Sequence, residues 1–440
     1  KVTKFLLLLC SIRFLFAVGE AGAIFLLIAP GAGPAGTGEA NVARSDDAYA
    51  SWYNPAGLGF QTGREMAGMH VNWLPNLADD LYYEFLAYKH NMPDLGTIGA
   101  HVIFLSLGEQ MQTDENGNEL GNFSSNMWAI TTSFGTKVSE SSSIGIGFKI
   151  LQQNLAPTGA GSENVEGSST DFAFDFGYLK KYKYGNFGLA ITNIGPKIWF
   201  MDQSQADPAP TNMRIGFLAK VYNDGFNKVN LIFDANKILV SRYQAMDWDG
   251  NGIISGKQEN AHDDPWYLSV FTAWLDDWYF GGDYDLDGNK IIGGWEWRDQ
   301  IEYGGDGDGL IDNDEVYETS EIEFSDPNYG PYGDCRTLTN ASSGTGGLSP
   351  DKCLEKGSGD NRSFSKELKE MVYNMGFEYW YTDNFVVRGG YIYDQEGKIT
   401  NPTFGAGLRF AQYGFDFGYT SGEQGHPRAN TMFFSVNIIL

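Results

Sequence analysis

The chain has 440 residues, a formal net charge of −26 and a mean hydropathy of −0.30. Such an acidic balance excludes recognition of a phosphate backbone, which needs a basic surface, and the low hydropathy excludes a bundle of membrane helices. Aromatic residues make up 15% of the chain and there are 56 Gly, a mixture suited to strands that face lipid on one side only.

The start predicts a secretory signal peptide over residues 1–23. Lys1 and Lys4 form a basic head, Phe5 to Leu9 open an apolar core, and Ala17, Ala21 and Ala23 offer cleavage sites. Arg13 interrupts the core, which argues against a spanning helix, and Leu9-Cys10 is a poor lipoprotein site. In an exported chain the other two cysteines, Cys335 and Cys353, read as a disulfide.

Residues 24–65 stand apart from the body and are expected to form a plug or hatch. An apolar run, Ile24 to Ala29, leads through Pro30 into a Gly/Ala-rich stretch ending at Ala43. Asn54-Pro55-Ala56-Gly57 is a turn that should end a short helix starting near Ser45-Asp46.

From residue 66 to 440 period-two alternation dominates. Phe172, Phe174, Phe176 and Tyr178 share one face, and Asp171, Asp175 and Gly177 the other; Phe415, Phe417 and Tyr419 alternate with Asp416, Gly418 and Thr420. Candidate strands are 66–75, 81–92, 96–107, 125–137, 142–154, 169–181, 185–193, 211–223, 227–240, 371–382, 384–394, 402–411, 413–420 and 429–440. Connections after even-numbered strands are tight, as at Asn223-Asp224-Gly225-Phe226, and most of those after odd-numbered strands are long. Short periplasmic turns against long outer loops, with an even strand number, predict an all-β, 14-stranded antiparallel transmembrane β-barrel. The last strand alternates Phe434, Val436, Ile438 and Leu440 with Ser435 and Asn437, an amphipathic terminus of the kind that barrel assembly receives.

Four charges fall on successive strands near the C-terminus, each opposite the aromatic face: Glu378, Arg388, Arg409 and Asp416. Unpaired charges in a lumen are costly, so structural pairing is favoured over a substrate path.

The connection 241–370 is far longer than a hairpin needs and reads as an extracellular insert. Asp285, Asp287, Asn289, the Ile291 carbonyl and Glu296 occupy positions one, three, five, seven and twelve of a calcium loop, with Lys290 in place of the usual Gly. Asp247, Asp249, Asn251 and Ile253 begin a second loop, which keeps its Gly at Gly252 but has Gln258 at position twelve. Asp306, Asp308, Asp312 and Glu315 resemble the calcium repeats of thrombospondin type 3. Three such loops favour Ca²⁺ over solvated acidic turns. Between the first two, Asp264-Pro265 can open a helix whose stripe of Tyr267, Phe271, Trp274 and Trp278 either packs on a rim or membrane interface or binds a partner.

Residues Phe25 to Ala50 followed by Trp52-Tyr53-Asn54-Pro55-Ala56-Gly57-Leu58, with Asp234 to Val240, Lys366 to Glu370, Gly376 to Tyr381, Arg388 to Tyr391, Gly405 to Arg409 and Asn430-Thr431, resemble the PorV family. One departure is Gly33-Pro34, where the family tends to place Arg. The resemblance implies a FadL-like fourteen-strand barrel of the outer membrane without catalytic residues. It also implies a role in type IX secretion: binding the C-terminal signal domain of cargo at the translocon pore and passing it to an attachment complex with a sortase-like protease. The alternatives are a FadL-type channel for hydrophobic compounds and a calcium-dependent surface scaffold. An enzyme is not expected, since the 5 His are scattered and no nucleophile elbow or phosphate loop appears.

Overall fold

The computed structural model describes residues 21–113, 119–156, 167–200, 206–243, 262–276, 294–297, 353–356, 364–422 and 429–440. Fourteen strands close into one antiparallel barrel. They are β1 (Arg64–Asn72), β2 (Leu81–Met92), β3 (Gly96–Thr113), β4 (Glu119–Lys137), β5 (Ser142–Ala156), β6 (Gly167–Tyr182), β7 (Gly185–Ile194), β8 (Asn212–Asn223), β9 (Asn227–Ile238), β10 (Val372–Tyr381), β11 (Phe385–Asp394), β12 (Ile399–Phe410), β13 (Tyr413–Thr420) and β14 (Thr431–Ile439). Each pairs with its sequence neighbour, and β1 closes on β14 from Glu65↔Ile439 to Val71↔Phe433. The ladder continues directly from β9 to β10, Asn227↔Tyr381 to Asn236↔Val372, so the long connection between them is an insertion into an unbroken wall.

Alternation sets which side chain faces which medium. On β6, Phe172, Phe174 and Phe176 are exposed while Ala173, Asp175 and Leu179 are buried. On β13, Phe415 and Phe417 are exposed while Asp416 is buried. An outward aromatic belt and a polar inward set suit a wall set in lipid, where every backbone polar group must find its partner within the closed ladder. At one end the strands are joined by tight turns, such as 224–226, where Gly225 takes a φ of 93° that a residue with a Cβ rarely adopts. We call this the short-turn end.

Two expectations shift in detail. Segment 108–124, expected as a loop, is largely strand, because β3 runs to Thr113 and β4 begins at Glu119. The short plug helix does not start near Ser45-Asp46. Ser45 is left-handed, with a φ of 34°, and the Asp47 carboxylate accepts the Tyr49 N–H at 3.0 Å, so the turn there is an Asx turn and the helix covers only Ala50–Tyr53.

Residues Leu239–Leu368 form a second compact unit. Its described parts include a ladder of Arg242–Tyr243 with His262–Asp263, a helix Trp266–Thr272, and a ladder of Gly294–Trp297 with Cys353–Lys356. The helix begins directly after Pro265, as expected, but ends at Thr272, so of the expected stripe it carries Tyr267 and Phe271 while Trp274 lies in the turn beyond its end.

Candidate functional site

The lumen holds residues 21–63 as a plug. It enters at the long-loop end, where the Gly22 N–H donates to the Pro208 carbonyl at 2.9 Å, and leaves at the short-turn end, where the Gln61 carbonyl accepts from Asn91 Nδ2 and Thr97 Oγ1, each at 3.2 Å. Two short helices, α1 (Ala32–Gly36) and α2 (Ala50–Tyr53), lie within it. On one side Phe25, Leu26, Tyr49 and Trp52 pack with Met69, Tyr83, Phe85, Ile103 and Phe433 of the wall in an apolar cluster.

Elsewhere the plug backbone lies against wall glycines. A Cβ at Gly145 would overlap the Pro55 backbone, one at Gly177 the Asn54 side chain, and one at Gly390 the Gly38 backbone. The high glycine content therefore has a local use: inward positions without side chains let a second chain segment touch the wall directly.

The plug is held by polar anchors. Asn54 is fully buried; its Nδ2 donates to the carbonyls of Val42 and Tyr178, each at 3.1 Å, and its Oδ1 accepts the Ala56 N–H at 3.1 Å. Pro55 then opens the 3₁₀ turn Pro55–Phe60, and the Ala56 carbonyl accepts from Ser143 Oγ at 2.7 Å. Asn54 thus ties two plug turns to β6, and the Gly57 N–H donates to the Asn54 carbonyl at 2.9 Å. A second anchor is Asp234 of β9, whose Oδ2 accepts the N–H groups of Asn41 and Val42 at 2.6 and 2.9 Å.

The four lumen charges lie in one chain of ion pairs with the plug. Glu378 Oε1 accepts from Arg44 Nη1 at 2.6 Å and from Arg388 Nε at 3.0 Å. Asp416 accepts from Arg388 Nη1 at 2.7 Å and from Arg409 Nη2 at 2.8 Å. Glu378, Arg388 and Asp416 are buried, so each charge is matched where an unmatched one would cost several kcal/mol, of order 3–5. Arg44, which completes the row, was missed from sequence; its signal was a lone cation after a Gly/Ala-rich stretch.

Sequence reasoning also missed the inner face of β5–β8. Lys149 Nζ donates to Asp175 Oδ1 at 3.3 Å and to the Asn193 side chain, and Asp175 Oδ1 accepts the Asn193 N–H at 2.8 Å. Asn193, with a φ of 60°, forms a bulge where the β6–β7 register shifts between Phe174 and Phe176. Arg214 stacks its guanidinium 3.9 Å from the centre of the Trp52 ring of α2.

A cavity also lies apart from the plug. It is a furrow of about 580 Å³ on the outer face, lined by Ile98, Phe134, Ile146, Phe148, Phe174 and Phe176 among others. Among the described residues, no group of three or more His, Cys, Asp or Glu is placed to hold a metal. The expected calcium ligands Asp247, Asp249, Asn251, Ile253, Asp285, Asp287, Asn289, Ile291, Asp306, Asp308, Asp312 and Glu315, together with Cys335, Trp278 and residues 1–20, lie outside the described residues. Glu296 and Cys353 are described only as members of the ladder Gly294–Trp297 with Cys353–Lys356. Of the expected partner stripe, Tyr267 and Phe271 are exposed and Trp274 is half-buried.

Residues 17–245, just over half of the chain, match the sequence profile of the family described as Type IX secretion system protein PorV. No curated protein matches. Among solved structures, the chain is similar to the Ralstonia pickettii toluene transporter TbuX, at 12% identity over 94% of this chain and 97% of that one with a TM-score of 0.45. It is similar to the CymD monoaromatic hydrocarbon channel at 11% identity, 94% and 98% coverage and a TM-score of 0.46. It is similar to a Pseudomonas aeruginosa FadL homologue at 10% identity, 93% and 98% coverage and a TM-score of 0.42.

Proposed function

The chain belongs to the PorV family of type IX secretion system proteins and is an outer-membrane β-barrel of a Gram-negative cell, and from that premise we propose that it is a docking and transfer station for secreted proteins. In this role it binds the C-terminal signal domain of cargo at the translocon pore and delivers the cargo to a surface attachment complex containing a sortase-like protease. The observation that supports docking over conduction is the filled lumen: a plug anchored by Asn54, Asp234 and the Arg44–Glu378 pair makes the barrel a rigid carrier. The lumen charges Glu378, Arg388, Arg409 and Asp416 serve to hold that plug, and no catalytic role is assigned to them.

In the proposed orientation the short turns face the periplasm and the insert faces the cell exterior. The insert then offers its exposed residues Tyr267 and Phe271, with Trp274 and Trp278, as a partner-binding face. Ca²⁺ held by the three Asp-rich loops, with a Cys335–Cys353 disulfide, orders that insert. A channel for hydrophobic compounds would require the plug to leave its anchors. A calcium-dependent scaffold would rest on the insert alone.

The test is a strain lacking this chain. Cargo bearing the C-terminal signal should accumulate inside the cell envelope and disappear from the surface, and the intact chain should restore display. Undiminished surface display without the chain contradicts the proposal, and loss of growth on an apolar carbon source in its place favours a channel.

A further inference from the structure

Among the described residues, one mouth of the barrel carries a set of cations outside any ion pair; the acidic group whose charge acts most on Lys181 is Asp46 of the plug, which is itself paired with Arg44. Lys137 closes β4, Lys181 is the penultimate residue of β6, and Lys220 lies near the end of β8, all at the short-turn end. Each continues the inward set of its strand, after Ser133 on β4, Leu179 on β6 and Leu218 on β8, all buried. Lys137 and Lys181 both stand over the ring of Phe60, the last residue of the plug's 3₁₀ turn, at 5.6 and 4.3 Å from its centre. Their ammonium groups are therefore no more than about 10 Å apart, within one Debye length at ordinary salt.

Of the other inward cations of the wall, Arg214 is stacked on Trp52 and donates to its carbonyl, and the following are matched by carboxylates. Lys89 pairs with Glu65, Lys149 with Asp175, Lys228 with Asp383, and Arg388 with Glu378 and Asp416. Among the described residues, none of Lys137, Lys181 and Lys220 lies in an ion pair. Three like charges grouped at one mouth repel one another, and an anion joining them relieves that repulsion.

We propose that Lys137, Lys181 and Lys220, arrayed around Phe60, form a docking site for a carboxylate-rich peptide segment of a partner protein. The crescent runs from β4 to β8, four strand spacings or roughly 19 Å, which an extended segment of about six residues spans. Phe60 holds two of the ammonium groups over its face, so the site is partly organised before binding. Lipid headgroups fit less well, because these three side chains point into the mouth. The outward lysine of the same rim, Lys180, lies instead over Tyr182, the arrangement of a side chain reaching for the membrane interface.

The probe is a fluorescein-labelled oligoglutamate peptide, titrated by anisotropy against the full chain in a neutral detergent at about 50 mM salt. Combined substitution Lys137→Gln, Lys181→Gln and Lys220→Gln should weaken binding by about tenfold or more, and single Lys220→Glu, which leaves the Phe60 contacts intact, by about threefold. Raising the salt to about 300 mM should weaken binding to the native chain and leave the triple variant nearly unchanged. The triple Lys→Arg variant should retain binding. Lys180→Gln with Lys183→Gln should change it by less than about twofold. Undiminished binding in both Lys220→Glu and the triple Gln variant overturns the proposal. Equal weakening by the Lys180/Lys183 pair also overturns it, since it would assign the anion to the headgroup plane.

Discussion

Arg44 of the plug donates to Glu378 of the wall at 2.6 Å across 334 residues of sequence, and Glu378 accepts from Arg388 of the next strand at the same oxygen. One buried carboxylate thereby ties the plug to a row of charges that continues to Asp416 and Arg409. Glu378→Gln would leave Arg44 and Arg388 facing each other with no anion between them. The expected cost is about 3–5 kcal/mol, read as a lower thermal unfolding midpoint in detergent. Arg44→Met should cost less, because Glu378 keeps Arg388. An unaltered midpoint in Glu378→Gln would show the row to be dispensable.

The glycine faces predict a plug that is easy to displace by one side chain. Gly177→Val places methyl groups where Asn54 now sits. Overpacking of this kind costs about 1–3 kcal/mol or more, and the plug, being the smaller body, should yield. Liposomes bearing the variant should swell in sugar solution, and the segment 21–63 should become open to protease. Gly389→Val, with nothing within 4 Å of its Cβ position, should do neither. Equal behaviour of the two variants would sink this account of the inward glycines.

The β8–β9 turn predicts a pH dependence. Asp224 accepts the N–H of Asn227 at 2.6 Å and that of Phe226 at 2.9 Å, and these bonds, with that from the Asn227 amide, hold its carboxyl well below the usual range. The folded state thus favours the ionised form. The stability that Asp224 adds is complete above the ordinary aspartate value of 3.8 and is lost as the pH falls through the lowered folded value. Native chain and Asp224→Ala should differ in unfolding midpoint by a constant amount from pH 8 to about pH 5, with the gap closing only in strong acid. A gap that closes near neutrality contradicts this.

Calcium in the insert predicts a chelation effect. With EGTA, protease should cut residues 241–370 faster while the barrel strands stay intact, and added Ca²⁺ should restore resistance. Identical cleavage patterns with and without EGTA would count against metal in these loops. Under non-reducing conditions a cut between Cys335 and Cys353 should leave the fragments joined.

The wall was legible because a strand half in lipid must alternate, and alternation is a local signal: Phe172, Phe174 and Phe176 outward and Asp175 inward follow from five adjacent letters. Strand ends were less legible. Toward the long-loop end the polar residues Glu109, Gln110, Gln112 and Thr113 fall on both faces of β3, and the alternation that marks a strand fades although pairing continues through Gln110↔Phe123. The plug was legible as a segment and not as a set of contacts. Asn41 meets Asp234, and Asn54 meets the Tyr178 carbonyl, over separations of more than a hundred residues that no periodicity encodes. Lys149 and Asp175 lay within reach of sequence reasoning, since both sit on inward positions of adjacent strands, but finding them needs the register Gly147↔Asp175, which only the turn fixes.

The most direct test of a docking and transfer role is recovery of the intact chain from native outer membranes under mild detergent, with the bound proteins identified by mass spectrometry. Cargo carrying C-terminal signal domains and components of the translocon or attachment complex should be enriched over an unrelated barrel purified in parallel. A chain recovered free of both, with small apolar molecules as its sole companions, would contradict the role.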